Sequence, residues 1–563
     1  MTAERPRYVL GLCYSHDASA CLLRDGVPAV AIQKERLSRK RHDGSIMDID
    51  LRECIEYCLK AEGLALEDLD LVVENSPTIL YCKDKDQCLN LDRERLLDRF
   101  DQRKILQISH HLAHAYSAFA LSPFDRSAVL IVDGQGNYLE DVTEDLTSAV
   151  LAPRAPESSF IERESFYEFE HNRCRVLRKN LSTIHKSFTR VCGVGHLYET
   201  VSAYAFRTRF DAGKLMGLAP FGEGVPVRMA DDSQCPDIRY FTDWVCEHRN
   251  PNRAKGDLER HWDEYRRLAY SAQHWLERSV SGLAAWLRSR VETPNLCYAG
   301  GVALNCVANR RILDRAGFQN VFIVPAASDC GVSLGCALYG HLNVLALRRA
   351  RFEYSDYLGR SYTENEIELA LRAAAEAAPI VVQKSADIAP AAAKALAAGQ
   401  IVGWFQGGSE FGPRALGNRS ILCDPRNPEM KAILNARVKF REAFRPFAPS
   451  VTEEASARFF DVAYSPYMLL SANVRPEVKP LIPAVTHVDG TARIQTVNSA
   501  QNPRYHRLLS AFGELTGVPV LLNTSFNNNE PIVETPGDAL NCFLHTGIDA
   551  LCIGDVLVTK RAE

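Results

Sequence analysis

The stretch Ser109-His-His-Leu-Ala-His114 carries two histidines, His110 and His114, four residues apart. On a helix that spacing puts both imidazoles on one face, close enough to share one metal ion. Two aspartates stand where strands should end: Asp133 after Ala128-Val-Leu-Ile-Val132, and Asp329 in Ala327-Ser-Asp-Cys-Gly331. Two imidazoles and two carboxylates make a mixed nitrogen and oxygen donor set that suits divalent iron, manganese or zinc. A solvated helix face with two histidines has the same spacing, and the strand-end carboxylates are what favour the metal. His16 lies in a turn after Tyr8–Cys13. An imidazole there, with a pKa near working pH, can take a proton from a hydroxyl; the alternative is a turn histidine bonded to a nearby carbonyl.

Three segments could approach phosphate. Asp133-Gly134-Gln-Gly136 and Ala299-Gly300-Gly301-Val-Ala-Leu-Asn305 follow apolar runs, which is how backbone comes close to a nucleotide. Asp211-Ala-Gly-Lys214 offers an ammonium. None of them matches a P-loop or a GxGxxG pattern, and a Gly pair equally marks tight packing. The second half of the chain has Gly412-Pro-Arg414, Lys439-Phe-Arg441-Glu-Ala-Phe-Arg445, Arg493 and Asn523-Thr-Ser525. Cations in apolar, Gly- and Pro-shaped sequence are costly to bury unless they meet anions. Several around one pocket suit a polyphosphate and a small phosphorylated substrate. Ion pairs with Glu410, Glu442 and Glu453 are the competing use of these charges.

These groups need a scaffold to position them. Tyr8–Cys13, Ala18 to Leu23 and Val30 to Ile32 are strand-like runs, and Asp25-Gly26 is a hairpin turn. A helix with apolar positions Leu51, Ile55, Cys58 and Leu59 follows, started by Asp50 and stopped by Gly63. The grammar of strand, Asp/Gly turn and strand returns at 128–151. This repeat predicts a duplicated α/β fold of the actin and sugar-kinase type. Segments 155–192 and 225–290, polar and rich in Arg, Glu and aromatics, read as inserted surface or lid elements. A composition break near 348–364 divides the chain into domains 1–355 and 356–563. An Ala-rich helical pair over 365–399 then leads into a strand, Gly399 to Phe405.

The 563 residues carry 66 Lys+Arg and 70 Asp+Glu, a net charge of −4, which lacks the basic footprint of a nucleic-acid binder. No stretch reaches the roughly 18 apolar residues of a membrane span, and no signal-peptide pattern opens the chain. The 17 cysteines include no CxxC, and most sit in apolar strings as small core hydrophobes. A cytoplasmic protein, binding neither nucleic acid nor membrane, is the expectation.

Taken together, His16-Asp-Ala-Ser, His110-His-Leu-Ala-His114, Val132-Asp-Gly-Gln-Gly136, Gly213-Lys-Leu-Met-Gly217, Gly300-Gly-Val-Ala-Leu-Asn305, Gly412-Pro-Arg-Ala-Leu-Gly417, Phe444-Arg-Pro-Phe-Ala-Pro449 and Asn523-Thr-Ser-Phe526 span nearly the whole chain. The sequence thereby resembles the O-carbamoyltransferases of antibiotic biosynthesis and nodulation-factor decoration. The resemblance implies an actin-like N-terminal domain followed by an α+β domain similar to threonylcarbamoyl-adenylate synthase. The second domain would make carbamoyl-adenylate from carbamoyl phosphate and ATP, with Mg2+ accompanying ATP. The first would pass the carbamoyl group to the hydroxyl of a small molecule. Carried over residue by residue, His110, His114, Asp133 and Asp329 match Fe(II) ligands and His16 the base. Arg41, Gly134, Gly136, Lys214, Gly300, Gly301 and Asn305 match nucleotide or adenylate contacts of the first domain. Arg414, Lys439, Arg445, Arg493, Asn523 and Ser525 match carbamoyl phosphate and ATP contacts of the second.

Upstream of His16 the turn reads Cys13-Tyr14-Ser15, without a carboxylate beside the base. Tyr14 offers an aromatic face with one hydroxyl, so a neutral acceptor is expected: a macrolide or polyketide hydroxyl, or a neutral sugar. Two other readings stay open, threonylcarbamoyl transfer to tRNA and a non-enzymatic actin-like module that binds ATP.

Overall fold

Strands β1 (Tyr8–Cys13), β2 (Ser19–Arg24) and β3 (Val27–Gln33) form an antiparallel meander. The β2–β3 turn places Asp25 and Gly26 at φ of 52° and 80°, the paired left-handed residues of a tight two-residue hairpin. The helix Arg52–Glu62 ends at Gly63 in the left-handed region, and Asp50 Oδ1 accepts from the Arg52 amide at 2.7 Å. The parallel strands β4 (Leu71–Asn75) and β5 (Ile105–Gln107) complete a sheet of order β3-β2-β1-β4-β5.

The computed structural model describes residues 5–44, 50–75, 96–154, 159–183, 193–231, 236–241 and 257–561. The chain divides into two compact units, Met1–Lys34 with His42–Tyr354, and Glu35–Arg41 with Ser355–Glu563. In the first unit the opening topology recurs. Strands β6 (Arg126–Val132), β7 (Val150–Ala152), β8 (Phe160–Glu170) and β9 (Arg173–Thr183) precede a two-stranded ribbon, β10 (Ala230–Asp231) and β11 (Arg239–Tyr240). Strands β12 (Asn295–Ala299) and β13 (Asn320–Ile323) follow. The second sheet runs β13-β12-β6-β8-β9-β7, so β9-β8-β6-β12-β13 repeats the order and the strand directions of β3-β2-β1-β4-β5. This is the duplicated actin and sugar-kinase topology.

Two expectations are corrected here. The segment over 155–192 is not a surface insert where described: residues 160–183 are two eleven-residue strands inside the second sheet. Glu162, Glu164, Glu168, Arg178 and Lys179 of these strands are buried. Lys179, with no exposed surface, donates to Glu144 at 2.6 Å, to the Tyr167 hydroxyl at 2.9 Å and to Glu162. Within 225–290, residues 262–288 form a 27-residue helix whose apolar stripe, from Tyr265 through Leu287, is buried. Residues 184–192 and 242–256 lie outside the described part.

The second unit is α+β. Its strands are β14 (Ile380–Lys384), β15 (Val402–Phe405), β16 (Arg419–Cys423), β17 (Ala448–Thr452), β18 (Leu470–Asn473), β19 (Thr491–Val497), β20 (Val520–Ser525), β21 (Ala550–Ile553) and β22 (Val556–Lys560). They form one sheet ordered β14-β22-β21-β15-β16-β20-β17-β19-β18. The expected Ala-rich helices, Glu364–Ala377 and Ile388–Ala397, are separated by edge strand β14.

Candidate functional site

In the first unit the helix His110–Ala120 is buried along its whole length. It packs against Val332–Tyr339 at a point where only glycine fits: a Cβ on Gly335 would lie 1.8 Å from the Ala113 carbonyl oxygen. On its other side Val332–Tyr339 approaches β1, where a Cβ on Gly11 would lie 2.0 Å from Ser333 O. This double close approach sets Asp329, in the turn before Val332–Tyr339, against the histidine helix. Asp133 follows β6, and its Oδ1 accepts from the Gly301 amide at 2.7 Å.

The structure brings His110, His114, Asp133 and Asp329 together, with one ligand atom from each inside a 4.8 Å group. His110 Nε2 is 3.4 Å from Asp133 Oδ2 and 3.3 Å from Asp329 Oδ1, and His114 Nε2 is 3.9 Å from Asp329 Oδ1. Burial by itself raises the two carboxyls. For Asp133, to which Asp329 adds a further upward push, His110 and His114 bring the value down to about 2; His110 and His16 hold Asp329 well below the carboxylate range. The same attraction, against burial, pushes His110 up to about 10. His110 Nε2 and both ring nitrogens of His114 are buried without a hydrogen-bond partner among the described residues. Buried imidazole nitrogens that converge with two carboxylates fit a divalent cation, which would take their lone pairs.

His16, a third exposed, places Nδ1 3.4 Å from Asp329 Oδ2 and Nε2 3.7 Å from Asp17 Oδ2. Asp17 Oδ1 in turn meets His42 Nδ1 at 2.7 Å, and the His42 ring stacks on Phe210 at 4.5 Å. Burial pulls the Asp17 carboxyl upward, yet His16 and His42 hold it below its ordinary range. His16 is therefore flanked by two carboxylates, and the absence of one, on which the expectation of a neutral acceptor rests, does not hold. Tyr14 is half-buried, with its amide on the Asn75 carbonyl at 2.8 Å.

Several expected nucleotide contacts of this unit have their donors committed elsewhere. Gly136 N–H goes to the Glu162 carbonyl at 3.0 Å, Gly300 N–H to Ala327 O at 3.0 Å, and Gly301 N–H to Asp133. Gly300, at φ +96°, serves a close approach to Val132, whose carbonyl oxygen a Cβ would meet at 2.2 Å. Gly134 makes room for Glu199, whose Oε1 would lie 2.7 Å from a Cβ there. Asn305 caps the helix Cys306–Arg315 and bonds Gln273 at 2.9 Å, and Lys214 pairs with Asp211 at 2.9 Å. The amides of Gly136, Gly300 and Gly301 thus brace the turns around Asp133.

Arg41 was grouped with the first domain, but residues 35–41 belong to the second unit. There Arg36 donates to Gly412 O and Arg39 to Ile532 O, both at 2.7 Å, while Arg41 Nη2 reaches Glu530 O at 3.3 Å. In this unit Lys439 is buried, its ammonium on Ser525 O at 2.5 Å, Asn527 Oδ1 at 2.6 Å and Asn527 O at 3.0 Å. Burial, then Arg441, Arg41 and Arg445, pushes its pKa well down. Arg441 lies over the Phe447 ring at 4.0 Å, and burial, followed by Arg445 and Arg493, brings it down to about 9. So Arg41, Lys439, Arg441, Arg445 and Arg493 crowd one another, a field that an anion would relieve.

The Arg414 loop is pinned from below. Glu410 Oε1 accepts from the amides of Leu416 and Asn418 at 2.6 and 2.8 Å, and Gln495 Nε2 donates to Leu416 O at 2.6 Å. Asn523 spends its amide nitrogen on Ser450 Oγ, Gln495 Oε1 and Ala415 O. Only its Oδ1, buried without a partner among the described residues, remains for a ligand. Ser525 Oγ donates to Asn527 Oδ1 at 2.8 Å. Of the three glutamates expected to compete for these cations, Glu442 alone comes within 4 Å of one among the described residues, at 3.7 Å from Arg445.

Residues 8–80 and 79–338 match the family model for the carbamoyltransferase N-terminus, and 393–560 match that for the C-terminus. The chain belongs to the carbamoyltransferase family. Nodulation protein NolNO of Sinorhizobium fredii is 35% identical over 97% of this chain and 79% of its own length. The 3'-hydroxymethylcephem-O-carbamoyltransferase of Streptomyces clavuligerus is 34% identical over 62% of this chain and 65% of its own. Among solved structures, HypF of T. kodakarensis aligns over 61% of this chain and 48% of that one, at 14% identity and a TM-score of 0.37. Sequence reasoning passed over Asp17 and His42 of this carbamoyltransferase, which the structure links to His16. Asp17 stands beside His16 in the sequence and so had a local signal. His42 had none, because the turn that returns it to Asp17 is a tertiary feature. No helix among the described residues is long and apolar enough to cross a membrane.

Proposed function

We propose that this carbamoyltransferase is an ATP-dependent O-carbamoyltransferase that works in two steps, one in each unit. The observation that carries the reading is the separation of its charges. The second unit gathers a buried lysine and several half-buried arginines, and the first gathers the two histidines, two aspartates and His16. Activating a carbamoyl group as a mixed anhydride brings phosphates together and needs cations to screen them. Lys439, Arg441, Arg445 and Arg493, with Arg414 and Arg41, would bind carbamoyl phosphate and the triphosphate of ATP with its Mg2+. Water first cleaves carbamoyl phosphate to carbamate and phosphate; the carbamate oxygen then bonds to the α-phosphorus of ATP as the bond to pyrophosphate breaks, which gives carbamoyl-adenylate.

In the transfer step the acceptor oxygen bonds to the carbamoyl carbon as the bond to the adenylate oxygen breaks, releasing AMP. His110, His114, Asp133 and Asp329 would hold a divalent ion, Fe(II) by the family resemblance, and the chemistry it would supply there is Lewis acidity. His16 Nδ1 faces Asp329 Oδ2, which leaves Nε2 to receive the hydroxyl proton. Asp17, 3.7 Å from Nε2, stabilises the imidazolium that results. The acceptor is a hydroxyl of a small molecule. A screen of hydroxylated natural products with carbamoyl phosphate and ATP, read by mass, tests the reading: gain of one carbamoyl group is expected, and no gain there, with a threonylcarbamoyl group added to tRNA when threonine, bicarbonate, ATP and tRNA are supplied, would replace it.

A further inference from the structure

Asn75, the last residue of β4, is 1% exposed and lies outside the four-residue cluster. Its side chain meets His110 Nδ1 at 2.8 Å. Its Nδ2 donates to the Ile108 carbonyl at 2.7 Å and to Asn137 Oδ1 at 3.2 Å. A backbone carbonyl can only accept, so the amide orientation is fixed by Ile108 and Oδ1 is the atom that faces the imidazole. An amide oxygen can only accept as well, so His110 Nδ1 carries the proton. In the neutral ring the Nε2 lone pair then points at Asp133 and Asp329. The backbone of His110 is held by the same network, since its amide donates to Asn137 Oδ1 at 2.6 Å. Asn137 N–H is anchored on Glu162 Oε2 at 3.0 Å. His114 differs: its Nδ1 has no hydrogen-bond partner among the described residues.

We infer that Asn75 is a positioning residue of the metal centre, which fixes the tautomer and ring orientation of His110 and so presents Nε2 ready to ligate. The inference rests on the metal reading of the His110, His114, Asp133 and Asp329 cluster. Partners of a ligating histidine's outer nitrogen act in this way, and their removal typically costs about 10- to 100-fold in metal affinity. Asn75 also braces Ile108 and Asn137, so a purely structural role has to be separated from positioning.

Asn75→Asp makes that separation. Aspartate keeps the acceptor toward His110 Nδ1 but cannot donate to Ile108 O or Asn137 Oδ1. Co(II) titration of the full chain, followed by visible absorption against a competing chelator, reads the affinity, and thermal melting of the metal-free protein reads the brace. Asn75→Ala is expected to bind Co(II) at least about tenfold more weakly than the parent. Asn75→Asp is expected to bind within a few-fold of the parent, although it melts lower. Parent-like affinity in Asn75→Ala overturns the inference, and so does a folded Asn75→Asp that loses as much affinity as Asn75→Ala. If Asn75→Ala does not fold, Asn75→Asp alone decides. A parent protein that binds no Co(II) overturns the metal reading itself and this inference with it.

Discussion

Gly335→Ala tests whether the packing of two helices sets the geometry of the proposed metal centre. The new Cβ would sit 1.8 Å from the Ala113 carbonyl oxygen, about 1.6 Å short of the 3.4 Å at which ordinary contact begins. Alanine is the better helix former by about 1 kcal/mol, so propensity alone predicts a more stable protein. Overpacking a tight interior typically costs about 1–3 kcal/mol, and here the obstacle is backbone, which cannot swing aside as a side chain can. The clash therefore wins. To relieve it, Val332–Tyr339 has to move away from His110–Ala120, and Asp329 precedes the moving helix by three residues. A misplacement of about 1 Å can cost on the order of 100-fold in rate. Gly335→Ala should melt below the parent, and its folded fraction should lose metal affinity and most of its carbamoyl transfer. A variant that melts at or above the parent temperature with undiminished metal content would refute the reasoning.

His114→Ala removes one of the four proposed protein ligands and should leave the purified protein with little metal by elemental analysis; full occupancy with unchanged transfer contradicts the assignment. Arg445→Ala should abolish carbamoyl-adenylate formation, since water replaces a charge-assisted phosphate contact poorly, yet it should still transfer from carbamoyl-adenylate supplied from outside. His16→Ala should show the reverse, with pyrophosphate release retained and product lost, and loss of both steps in each folded variant defeats the division of labour. Lys439 has its pKa lowered by burial and by neighbouring cations. An anion prefers its charged form, so calorimetric affinity for inorganic phosphate should fall as pH rises through the depressed value. Lys439→Arg should flatten that slope, and a pH-independent affinity in the parent argues against Lys439 at the anion site.

The histidine pair and the strand-end aspartates were legible because helix and strand periodicity project directly onto faces and ends of elements. The repeated strand, Asp/Gly turn and strand pattern likewise foretold the duplicated sheet order. The hairpin 160–183 was misread for a physical reason. Glu162, Glu164 and Lys179 mark a surface when they are counted singly, but in the sheet they satisfy one another and Asn180. The glycine turns were less legible, since nothing in Gly300-Gly301 tells that their amides donate to Ala327 and Asp133. His42 and Asn75 carried no local signal at all. Each gains its role from a contact between residues 25 or 35 positions apart.

The most direct test of the central claim is pyrophosphate release by the metal-loaded full chain, given ATP with and without carbamoyl phosphate and no acceptor. A carbamoyl-phosphate-dependent burst of pyrophosphate, matched by carbamoyl-adenylate in the quenched mixture, is the predicted result. A folded, metal-loaded protein that carbamoylates an acceptor without ATP, or that releases no pyrophosphate in response to carbamoyl phosphate, would contradict it.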